Sequence, residues 1–89
     1  MEIKIESPSE EKLEELGVKS WPIWEKEVSE FDWHYDSKEV CYLLQGEVEI
    51  KTEEDETVEI KAGDLVTFPE GMDCVWNVKK DVKKHYKLG

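Results

Sequence analysis

The chain has no arginine: all 12 of its basic residues are lysine. The guanidinium fork that grips phosphate or carboxylate through two parallel hydrogen bonds is therefore missing. Positive charge is scarce altogether, because 23 acidic residues bring the net charge to −11. Nucleic-acid binding and adsorption to an anionic membrane both need clustered positive charge, so neither is expected. No apolar run approaches the roughly 18 residues that a membrane-spanning helix needs. Cysteine is limited to Cys41 and Cys74. Two are too few for the disulfide framework of a small secreted domain, and their spacing is not that of a CxxC pair. Residues 1–15 are too charged to read as a secretory leader. These absences together predict a cytoplasmic protein with both thiols reduced.

What remains is short and aromatic. A length of 89 residues gives one domain, spanning 1–89, with too little chain for two cores. Hydrophobic residues make up only 38%, but four Trp, three Tyr and two Phe bury much area per residue. That content argues for a folded domain over a disordered one. The Lys/Glu-rich composition suggests a heat-adapted protein. Lys79, Lys80, Lys83, Lys84 and Lys87 crowd the last residues against Asp81 alone. They read as a solvated edge strand guarded by lysine.

Hydrophobic periodicity divides the chain into one helix and many strands. Residues 2–6 alternate, with Ile3 and Ile5 on one face. Ser7-Pro8-Ser9-Glu10 opens a helix as a capping box, Leu13 and Leu16 give it an apolar stripe, and Gly17 ends it. Trp24, Lys26 and Val28 share a face of the next strand. Phe31, Trp33 and Tyr35 then alternate with Asp32, His34 and Asp36. Residues 39–44 form an apolar run expected to be buried on both faces. Gln45-Gly46 is expected to turn the chain tightly into a partner strand over 47–51. Strands follow at 57–60, 65–68, 74–78 and 82–88. About nine short strands punctuated by Gly and Pro indicate an all-β sandwich or barrel.

The stretch Gly63-Asp64-Leu65-Val66-Thr67-Phe68-Pro69-Glu70-Gly71 resembles the second sequence motif of the cupin superfamily. Glu39, followed after six residues by Gly46, resembles the end of the first. The two motifs and the short segment between them cover residues 30–78. The Trp-rich N-terminal part and the ending Lys-Lys-His-Tyr-Lys-Leu-Gly are similar to small single-domain cupins related to the ureidoglycine aminohydrolase and ethanolamine-utilisation cupins. The resemblance implies an all-β, cupin-type β-jelly-roll barrel with one short N-terminal helix and a pocket at one end.

In that family two His and one Glu of the first motif, with one His of the second, bind a divalent metal. Glu39 matches the glutamate, and Cys74 falls where the second-motif His belongs. Two registers remain for the other positions. One aligns Asp32 and His34, which with Glu39 and Cys74 form a plausible set for a divalent metal such as Zn, Fe, Ni or Mn. The other aligns Trp33 and Tyr35, which form no metal site. Burying Phe31, Trp33 and Tyr35 is worth about 2–3 kcal/mol each. Burying Asp32, His34 and Asp36 would need an offset that a metal, at on the order of 10 kcal/mol, could supply.

The candidate pocket residues are Trp33, Tyr35, Glu39, Cys41, Cys74 and Trp76, with Trp24 and Tyr42 extending an aromatic wall. Three functions follow. The first is a binding module for a small molecule, with Glu39 as polar anchor. The second is a metal-dependent enzyme in which Glu39 is the catalytic acid or base for hydrolysis or isomerisation of a small polar metabolite. The third is a structural homodimer exchanging the Ile3/Ile5 strand.

Overall fold

Two long strands organise the chain, which a computed structural model describes for residues 2–89. The elements are β1 (Lys4–Glu6), α1 (Glu10–Leu16), a 3₁₀ turn (Val18–Ser20), β2 (Ile23–Lys26), β3 (Ser29–His34), β4 (Glu39–Thr52), β5 (Thr57–Lys61), β6 (Leu65–Phe68) and β7 (Asp73–Leu88). All strand pairs are antiparallel, in the order β1-β6-β4-β7-β2, with β3 added on β7 and β5 on β4. The expected all-β architecture is present, built among the described residues from seven strands where about nine were predicted.

The difference arises at two places where a predicted break is bridged. Gln45-Gly46 is not a hairpin turn. β4 runs straight through it, and the register against β7 slips by one residue between Leu43 opposite Lys84 and Val48 opposite Val78. That slip is a β-bulge. It inverts which side chains face inward. Before it Glu39, Cys41 and Leu43 are buried; after it Val48, Ile50 and Thr52 are. Gly46 takes φ of 102°, and a Cβ there would stand 2.5 Å from the Asp81 carbonyl oxygen. Only glycine lets the two backbones come this close. On the facing strand, 74–78 and 82–88 are likewise one element, β7.

Each half of the two long strands recruits its own neighbours. The first half of β4 pairs with β6 and the second with β5. The first half of β7 pairs with β3 and the second with β2. Residues of both halves meet in one core, where Cys41, Leu43 and Val82 join Val48, Ile50, Trp76 and Val78 around Phe68. The lysine-rich end is therefore not an edge strand. It lies in the middle of the sheet, flanked by β4 and β2.

Local corrections follow the same physics. The helix is capped by Ser9, whose hydroxyl accepts from the Lys12 amide at 3.2 Å, and not by Ser7. Gly17 ends it in the left-handed conformation, as predicted. The 39–44 run is buried on one face only: Val40 and Tyr42 are half-buried and Leu44 is exposed. Ile3 packs on the core while Ile5 is exposed, on a β1 that among the described residues pairs only with β6. Val28 lies beyond the end of β2 and is exposed.

Candidate functional site

The alternation of β3 resolves the choice of register. Asp32 and His34 are exposed, whereas Phe31 is half-buried against the core and Tyr35, just past the strand, is 2% exposed. His34 Nδ1 meets Asp73 Oδ1 at 2.7 Å, and its Nε2 stands 3.5 Å from Asp36. Burial of aromatic faces has prevailed over burial of carboxylates.

The aromatic face opens onto a cavity of about 240 Å³. Trp24 from β2, Phe31 and Trp33 from β3, and Trp76, Tyr86 and Leu88 from β7 wall it, with Glu39 and Lys84 as its charged residues. The rings support one another edge-on or stacked. Trp24 meets Trp76 at 5.8 Å and 79°, and Phe31 stacks on Trp76 at 6.1 Å and 19°. Behind them Tyr35 stacks on Phe68 at 4.6 Å and 10°, and its hydroxyl accepts from Trp76 Nε1 at 3.1 Å. Trp33 stands at the rim, 44% exposed.

Glu39 and Lys84 form a buried ion pair. Lys84 Nζ donates to Glu39 Oε2 at 2.8 Å, with the two side chains 6% and 8% exposed. The same ammonium lies 4.6 Å from the Trp76 ring centroid and 4.9 Å from that of Trp24. Cation–π attraction thus adds to the ion pair.

Of the predicted pocket residues, Trp33, Glu39 and Trp76 line this cavity. Tyr35, Cys41 and Cys74 lie in the core cluster instead, and Cys74 also borders an open outer groove shared with Asp32 and His34. Burial pushes the Cys41 thiol up to about 12 and the Cys74 thiol up to about 11. Burial likewise raises Tyr35, with Glu39 adding to the shift. At neutral pH both thiols are protonated, which makes them poor nucleophiles.

The four residues of the metal-bearing register do not converge. Asp32, His34 and Cys74 border the outer groove, whereas Glu39 lies apart on the aromatic cavity and already holds a cation. Among the described residues no three His, Cys, Asp or Glu side chains come together to hold a metal. The donor set does not fit the divalent ion of the cupin pattern.

Lys84 is a site residue outside the sequence-based expectation, because it stands among lysines whose clustering predicts a solvated strand. A signal was present. The even positions Cys74, Trp76, Val78 and Val82 alternate inward, and Lys84 continues that row. His85 is also more buried than expected for that segment, and its Nδ1 contacts the Trp21 carbonyl oxygen at 2.9 Å.

The sequence profile of the EutQ-like cupin domain matches residues 13–86. A crystal structure of a DUF861 family protein from Thermotoga maritima, a thermophile, is 59% identical with a TM-score of 0.98, over 99% of this chain and 100% of that one. The Clostridium difficile EutQ protein is 23% identical with a TM-score of 0.66, over 72% of this chain and 50% of its own. A cupin superfamily protein from Desulfitobacterium hafniense is 13% identical with a TM-score of 0.59, over 98% of this chain and 77% of its own. The last two likenesses concern the fold alone. No curated protein sequence matches.

Proposed function

Because this chain belongs to the EutQ-like cupin family, we propose that its barrel is a binding module that admits a small organic molecule to the aromatic cavity. One observation carries the reading. Four aromatic rings and a Tyr surround a buried charged pair, inside a cavity open enough to be entered. Aromatic walls with few convergent polar groups are the usual make-up of small-molecule sites. The ion pair supplies the polar anchor, and the rings supply flat apolar contact. A nucleophilic role for either thiol is disfavoured by its raised pKa.

A fragment screen followed by NMR tests this. Hits are expected to move the indole N–H signals of Trp24 and Trp76 together, and to weaken several-fold in Trp33→Ala, which removes only a rim side chain. Hits that leave those signals still, and gather instead in the polar groove beside Val48 and Ile60, would place the site elsewhere.

A further inference from the structure

We propose that Lys84 is the barrel's own cation, and that the cavity takes a small organic carboxylate with a flat apolar body. This rests on the reading of the cavity as a ligand site and adds its ligand class.

Three observations lead there. First, the ammonium has donors to spare. Lysine carries three N–H bonds, and Lys84 uses one on Glu39. Among the described residues its remaining contacts are ring faces, Trp24 and Trp76, which accept charge but complete no ordinary hydrogen bond. Lys84 is nonetheless 5% exposed and borders the cavity. Second, stability alone does not explain the pair. Burying two charges costs about as much as their attraction returns, and a well-packed apolar pair is often as stable. Third, the cavity lining is neutral, with one Glu and one Lys, in a chain of net charge −11. Among the described residues Glu39 is the only carboxylate bordering the cavity. Lys84 balances it, and Lys26, outside the lining itself, holds a second ammonium 5.6 Å from the centroid of the Phe31 ring. A cationic ligand would find the space between Trp24 and Trp76 already filled by a cation. An anionic ligand would find two free donors.

Size narrows the class further. At about 30 Å³ of liquid volume per water, a cavity of about 240 Å³ holds a body of roughly eight non-hydrogen atoms, with room for one more at its open mouth. An aryl or similarly flat monocarboxylate fits, its ring between the walls and its carboxylate sharing Lys84 with Glu39.

The probes are benzoate, benzyl alcohol and benzylammonium, which share one ring and differ in charge. Each is titrated at constant ionic strength into wild type, Glu39→Gln and the double variant Glu39→Gln/Lys84→Met. Binding is read from the indole N–H signals of Trp24 and Trp76. The double variant avoids leaving one buried charge unpaired, and its amide spectrum reports whether it folds. Wild type is expected to bind benzoate at least about tenfold more tightly than benzylammonium. Glu39→Gln, which frees Lys84 from its competitor, is expected to bind benzoate several-fold more tightly than wild type. The double variant is expected to lose the preference for benzoate while still binding benzyl alcohol.

Equal binding of all three probes, a preference for benzylammonium, or weaker benzoate binding in Glu39→Gln would overturn the role of Lys84 and leave the cavity as a ligand site. Indole signals that respond to none of the probes would remove the ligand site itself.

Discussion

Glu39 and Lys84 stand 45 residues apart in sequence and 2.8 Å apart in space. Removing either charge strands the other out of water. Glu39→Gln and Lys84→Met are each expected to cost about 3–5 kcal/mol, while the double variant returns close to wild type. Urea denaturation of the four proteins measures this, and additive losses would show that the two groups are not coupled. The thiols make a second test at this scale. Cys41 rises from 9.0 to about 12 on folding. A raised pKa means the folded state holds its proton more tightly, so this contribution to stability is full below about pH 9. It is then lost progressively as pH rises toward 12. The melting temperature of wild type is therefore expected to fall more steeply between pH 9 and 11 than that of Cys41→Ala. Both cysteines are also expected to resist alkylation at pH 7.5 in native protein and to react fully in denaturant.

At the scale of elements, β4 decides the architecture. Its bulge at Gly46 changes the inward face from Glu39, Cys41 and Leu43 to Val48, Ile50 and Thr52. Both halves can then contribute to one core although they pair with different neighbours. Gly46→Ala would press a methyl group against the Asp81 carbonyl and the Val82 Cα, at positive φ. It is expected to cost roughly 2–4 kcal/mol, measured by urea denaturation. Gly63→Ala also meets positive φ but has nothing within 4 Å of its Cβ. It is expected to cost clearly less. An equal loss at both would mean that conformation alone matters, and not the close approach of β4 to β7.

At the scale of the molecule, charge is the dominant feature. A net charge of −11 on 89 residues opposes compaction through self-repulsion. The surface pairs that relieve it, such as Lys80 with Glu47 at 3.5 Å, are exposed and individually weak. Screening repulsion among the acids is therefore expected to outweigh the loss of these pairs. Raising sodium chloride from about 10 to 500 mM, which shortens the Debye length from about 30 to a few Å, is expected to raise the melting temperature. A fall would show that the surface pairs matter more than the repulsion. No helix among the described residues is long and apolar enough to cross a membrane.

The sequence by itself determined the class of fold and the aromatic character of the cavity. Both are local properties: period-two alternation, glycine and proline at the turns of the 63–71 stretch, and large rings at recurring inward positions. It also pointed to Glu39, because a carboxylate opening an apolar strand is conspicuous. Tertiary structure alone decided the rest. A glycine after glutamine is compatible with a hairpin or with a bulge, and only the backbone of Lys80–Val82 pressed against Gly46 makes it a bulge. Lys84 is one lysine among several until β7 lies between β4 and β2 and its side chain reaches Glu39. Its charge is survivable in the interior because a strand distant in sequence brings the carboxylate to it, and no local pattern encodes that meeting.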